Sequence, residues 1–282
     1  MTASGLIAEV SRRRAWLLAA LVGVMVVVTA FVPPVPQDPA YHHFADARPA
    51  LGVPNFLNVV SNLAFLVVGA LGLGFLARDT RRGGGPAFGG PTERRPYWPF
   101  FTGVALTAVG SGYYHWQPDS GALFWDRLPM TLAFMALLAS VIGERISGRV
   151  GARLLWPLLL VGGLSALYWH VTEQRGAGDL RPYGLVQFGT MVLVPLILLL
   201  FPARHTGASY YWLSFGCYGL AKVAEYFDQG LLRLTAVSGH TWKHLAAAAS
   251  TYAILCMLER RQPLAPPRES LGGAGLVGDQ LG

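Results

Sequence analysis

Trp98-Pro99-Phe100-Phe101-Thr102-Gly103-Val104-Ala105-Leu106-Thr107-Ala108-Val109-Gly110-Ser111-Gly112-Tyr113-Tyr114-His115 runs for 18 residues without a charged side chain and closes on a serine and a histidine four positions apart. A helix on the surface of a soluble domain shows a polar stripe at helical spacing. This stretch shows none, and its length is close to the roughly 20 residues that cross a bilayer. Working outward, seven further blocks are long and apolar enough to cross a bilayer: Ala15 to Val32, Asn55 to Ala77, Trp125 to Glu144, Leu154 to His170, Tyr183 to Phe201, Tyr210 to Phe227 and His240 to Leu258. The sequence therefore predicts an all-α integral membrane protein of about eight spans. Composition agrees, with 53% hydrophobic and 13% charged residues and a mean hydropathy of +0.41, where a soluble domain carries about a quarter charged residues.

The net charge of +7 is not the footprint of nucleic-acid binding, because the arginines sit in short clusters between apolar blocks. Arg12 to Arg14, Arg78/Arg81/Arg82/Arg94/Arg95, Arg145/Arg149/Arg153, Arg204 and Arg260/Arg261 all fall on one side of the predicted spans. The opposite loops carry only Arg48, Arg127, Arg175, Arg181 and Arg233. By the positive-inside rule both termini are expected in the cytoplasm. The richness in Ala, Gly and Arg suggests a bacterial inner membrane. Arg12 to Arg14 before an apolar stretch also describe a signal peptide, but the stretch is long for one and no small-x-small cleavage site follows Val32, so the helix is read as retained. Three regions result: a segment 1–38 with the first helix, a core 39–262, and a tail 263–282 read as disordered. The Gly/Pro-rich stretch from Arg82 to Pro96 reads as a flexible linker. The two cysteines, Cys217 and Cys256, lie inside spans and read as packing residues.

Ionisable groups inside spans are costly, so each is a functional hypothesis. The topology delivers several to one depth. The third span ends in Ser111 and His115, the fourth begins at Trp125-Asp126-Arg127, and the eighth begins Gly239-His240-Thr241-Trp242-Lys243-His244. His240 and His244, four apart, share one helix face and can reach one ion. Three neutral imidazoles with an open fourth position make a catalytic zinc site, and Asp126 is placed as an outer partner or base. Each feature alone has a plainer reading. An HxxxH pair also describes two interfacial histidines, Ser111 could bond to its own helix carbonyl, and Asp126 could serve the helix dipole. Their convergence is what favours a metal.

SxxxH at Ser111–His115, the following Asp126, and HxxxH at His240–His244 resemble the signature of the CREST superfamily, and of its alkaline ceramidases in particular. Asn58-Val59-Val60-Ser61-Asn62 is similar to the first core helix of those enzymes. The resemblance covers the chain from about Tyr41 to Arg261 and implies a seven-helix core, preceded here by one extra N-terminal transmembrane helix. It also implies a bacterial-type zinc amidase acting on ceramide or a related lipid, with His115, His240 and His244 on the zinc. Asp126 would manage the proton of the attacking water, and Ser111 would donate to the developing oxyanion. The site would face the periplasmic side. Calcium, which eukaryotic members hold before that core helix, is left out. Tyr41 to Arg48 offer one carboxylate, Asp46, with Asn55 where another would be expected, and calcium wants six to eight oxygens.

Lys222, Glu225 and Asp228 share a face of the seventh span and read as an intrahelical ion cluster or a headgroup site, with Arg181 as a partner for Glu225 or Asp228. His42, His43 and His205 lie in loops and are assigned no chemistry. Two other functions fit the same residues. One is a non-catalytic receptor or scaffold with structural zinc, and the other is an ion- or proton-coupled transporter using Asp126, Lys222, Glu225 and Asp228.

Overall fold

The computed structural model describes residues 3–264. Among them the chain forms eleven α-helices, a short 3-10 turn at Pro39–His42 and no strand. In order the helices are α1 (Ala3–Phe31), α2 (Phe56–Val60), α3 (Leu63–Arg81), α4 (Pro91–Arg94), α5 (Tyr97–Trp116) and α6 (Ser120–Arg145). They continue with α7 (Gly148–Gln174), α8 (Arg181–Leu200), α9 (Ser209–Tyr226), α10 (Asp228–Thr235) and α11 (Gly239–Arg260). The tail predicted to be disordered lies outside the described residues from position 265 on.

Five segments are long and apolar enough to cross a membrane: Glu9–Phe31, Phe56–Arg81, Ser120–Arg145, Gly148–Gln174 and Arg181–Leu200. The outer surface bears this out. Trp16, Val24, Phe31, Val109, Trp156 and Leu199 are exposed, whereas Asn58, Thr131, Ser140 and Ser238 are buried. Water would reverse that arrangement and hydrocarbon accepts it. Helices α3, α5, α6 and α7 pack side by side, α11 packs on α9 and α3, and α8 closes on α6 and α7. Helix α1 lies against α8 at the periphery.

Small residues let the helices approach closely next to the future site. A Cβ at Gly110 on α5 would overlap the Trp125 carbonyl of α6, and one at Gly239 on α11 would overlap the Ala224 carbonyl of α9. Gly110→Ala is therefore expected to destabilise the protein by about 1–3 kcal/mol, the usual range for overpacking. Thermal unfolding in detergent measures it, and an unchanged midpoint contradicts the close approach.

The second predicted span is not one helix. It breaks at Ser61-Asn62 into α2 and α3 because side chains capture the Asn58 carbonyl: Ser61 Oγ donates to it at 3.2 Å and Asn62 Nδ2 at 2.7 Å. The Asn62 N–H turns to Val59 O instead. Short polar side chains compete with the helix ladder in this way. The linker from Arg82 to Pro96 is likewise not free. Phe88 is buried against Tyr97, and Arg94 pairs with Asp79 at 2.8 Å. Two arginines read as loop charges, Arg145 and Arg261, are in fact buried around Glu144 at the end of the bundle away from the histidines, with Arg261 Nη1 2.7 Å from Glu144 Oε2 and Tyr211 donating to the same oxygen at 2.9 Å. Buried charges persist when paired and hydrogen-bonded like this.

Candidate metal centre and cavity

Each histidine reaches the site because its helix terminates or begins there. His115 sits in the last turn of α5, and the chain reverses over three residues into α6, whose first amides Asp119 caps through Ala122 N at 2.6 Å. Helix α11 starts at Gly239, capped by the Ser238 hydroxyl on the Thr241 amide at 3.1 Å. Helical spacing then puts His240 and His244 on one face. All three imidazoles are buried, and their ligand nitrogens lie within 4.8 Å of one another. His115 Nε2 is 3.2 Å from His240 Nε2 and 3.2 Å from His244 Nε2.

That geometry fits a tetrahedral ion. Two nitrogens each about 2.05 Å from zinc at a tetrahedral angle are about 3.3 Å apart. A ring nitrogen carries either one proton or one lone pair, so His115 Nε2 can make a linear hydrogen bond to only one of its two neighbours, whereas one cation satisfies all three nitrogens. His244 has its outer nitrogen anchored as well. With Nε2 turned to the cluster, Nδ1–H donates to Ser61 Oγ at 2.8 Å, and Ser61 passes its own proton to the Asn58 carbonyl. Asn58 Oδ1 in turn accepts from Ser238 and Thr241 at 3.2 and 2.8 Å, tying the helix break to the start of α11. Outer partners of this kind are worth about 10–100-fold in metal affinity. Ser61→Ala is accordingly expected to weaken zinc binding by about that factor, read by competition with a chromophoric chelator. Phe44 covers His115 and His240, its ring centre 4.6 and 4.9 Å from theirs.

Ser111 and Asp126 are both nearly buried, lie beside each other, and line with His244 the wall of a cavity of about 470 Å³. Tyr41, Arg127 and Tyr183 close its polar end. From there it continues between the helices past Phe65, Val104, Phe134, Phe215 and Ile254. On α11 the lining runs from Lys243 to Ile254, roughly 16 Å at 1.5 Å per residue. Such a slot suits an alkyl chain with its polar group at the histidine end.

The charged residues of the seventh span are arranged differently from expectation. Glu225 does pair with Lys222, and it also accepts from Lys243 of α11 at 2.9 Å. Asp228 is not on that face: α9 ends at Tyr226, and Asp228 opens α10, where its carboxylate accepts from the His240 and Ala45 amides at 2.8 and 3.1 Å. It holds α11 and the entering strap in place. Arg181 meets neither carboxylate. It pairs with Asp179 at 2.8 Å and donates to the Val32 carbonyl, and its hydrogen bonds hold the Asp179 carboxyl down at about 2. Two residues apart in a turn, Asp179 simply lies nearer than any group on α9. Asp46 is bound on both oxygens by Arg48, each at 2.7 Å.

Sequence reading missed Ser61, Arg127 and the aromatic group around it. Ser61 had a signal, being a polar side chain inside an apolar block. Arg127 is buried and stacks over Trp169 and Tyr183, 4.1 and 4.9 Å from their ring centres, contacts between residues far apart in the chain. Compared with known proteins, the chain matches no family model and no curated protein.

Proposed function

We propose that the protein is a zinc-dependent integral membrane amidase that hydrolyses the amide of ceramide or a related lipid, releasing a fatty acid and an amine. The observation carrying this reading is a cluster of three buried imidazoles, one of which, His244, lines with Ser111 and Asp126 a cavity whose other walls are largely apolar. His115, His240 and His244 hold the zinc, which supplies Lewis acidity at the scissile carbonyl. The alkyl chain lies along Phe65, Val104 and Phe134 and fixes the amide beside Ser111. The Ser111 hydroxyl donates to the carbonyl oxygen as negative charge develops on it. Asp126 takes a proton from the attacking water and returns it to the leaving nitrogen as the C–N bond breaks. Burial keeps the rest of the solvent away from this exchange.

In this reading the helices α2/α3, α5, α6, α7, α8, α9 and α11 are a seven-span core and α1 is the added one. Both termini face the cytoplasm, and the site opens toward the periplasmic side of a bacterial inner membrane. The test is a metal analysis of purified protein followed by hydrolysis of fluorescent lipid amides. One zinc per chain, fatty-acid release and its loss on chelation are expected. Zinc-loaded protein that cleaves no lipid amide overturns the reading.

A further inference from the structure

Four cations line the cavity, Arg127, Arg181, Lys222 and Lys243, against two carboxylates, Asp126 and Glu225. Three of the four are in ion pairs. Lys222 and Lys243 share Glu225, and Arg181 is bound to Asp179 outside the lining. Arg127 is left. Its exposure is 7%, and it forms no ion pair among the described residues, not even with Asp126 beside it in sequence. One terminal amine donates to Gln37 Oε1 at 2.6 Å, while the other, Nη1, is buried with no partner.

Burying a guanidinium without a direct ion pair is costly. The faces of Trp169, Tyr183 and Tyr41 return part of that cost, but ring faces do not satisfy a free N–H. Arg127 is one residue from Asp126, at the polar end of the slot, where the head of a bound lipid would lie. The unpartnered Nη1, a charged donor, matches an oxyanion there better than a hydroxyl.

We propose that Arg127 binds an acidic group on the polar side of the substrate, so that the preferred substrate is a lipid amide whose amine portion carries a carboxylate, as in an N-acyl amino acid. This rests on the amidase reading for turnover, but the charge preference itself is a binding property. Arg127 acts as a specificity residue, and the anion completes the charge balance that the protein leaves open.

The test compares N-oleoylglycine with N-oleoylethanolamine, which has the same chain and amide and a neutral hydroxyl end. Binding is read from tryptophan fluorescence and thermal shift in the full chain in detergent, with and without zinc, and turnover is read separately. Wild type is expected to bind the acidic lipid roughly 10- to 150-fold more tightly, the range for a hydrogen bond to a charged group. Arg127→Gln should erase the preference and Arg127→Lys should restore part of it. Equal binding of the two lipids by wild type overturns the proposal, and so does a preference that survives Arg127→Gln. Oleate supplies a carboxylate without an amide. If Arg127→Gln weakens oleate and leaves N-oleoylglycine unchanged, the arginine serves the product and the substrate assignment fails. Failure of turnover with the binding preference intact counts against the amidase reading alone.

Discussion

His244→Ala is expected to leave the purified protein with no bound zinc and with amide hydrolysis at background. Both of its ring nitrogens are engaged, Nε2 in the cluster at 3.2 Å from His115 and Nδ1 on Ser61 at 2.8 Å. Its removal therefore takes away a ligand and one of the anchors of α11 against the helix break. The loss should exceed the roughly 10–100-fold in affinity that follows removal of an outer partner such as Ser61. Metal content per chain is the primary reading, with helical content by circular dichroism as the control for folding. A variant that keeps one zinc per chain and full turnover would sink the metal-centre reading. Chelation of the wild type gives the same comparison without a substitution, and loss of activity there with recovery on adding zinc is the expected companion result.

Asp126→Asn should separate chemistry from metal binding. The amide is nearly the size of the carboxylate, so packing against Gly110 and Ser111 across the α5–α6 contact is preserved. Zinc content should remain at the wild-type level. Turnover should fall by about 10²–10⁴-fold, the scale of a lost general base. The proposed hydrolysis needs a proton moved from water to the leaving nitrogen, and an asparagine cannot accept one. Undiminished kcat in the zinc-loaded variant removes Asp126 from the chemistry. A scaffold with structural zinc predicts instead that neither form turns over any lipid amide.

The helical, membrane character was open to reading because bilayer hydrocarbon imposes it locally. Each backbone group must be satisfied within its own segment, so a long uncharged run such as Tyr183 to Phe201, which forms most of the apolar helix α8, has few alternatives. The histidine cluster was open to reading because helix geometry relates His240 to His244. The remaining step, joining α5 to α11, needed only that both ends fall at one depth. The errors have equally definite causes. Asp228 was assigned to a face by extending the periodicity of α9 two residues past its end at Tyr226. The break at Ser61 followed from competition for a single carbonyl, a contest that apolar pattern does not register.

What the sequence determined by itself was the all-α, membrane-like class of fold and the three histidines that cluster at one end of it. Only the tertiary structure decided the rest: Ser61 behind His244, Glu225 shared between two lysines, Arg181 given to Asp179, and Arg127 left without an ion pair in an aromatic setting. Spacing along a helix fixes which side chains share a face. Partner choice among charges depends on distances between helices distant in the chain, and a shift of a few ångströms in helix packing changes every such pair.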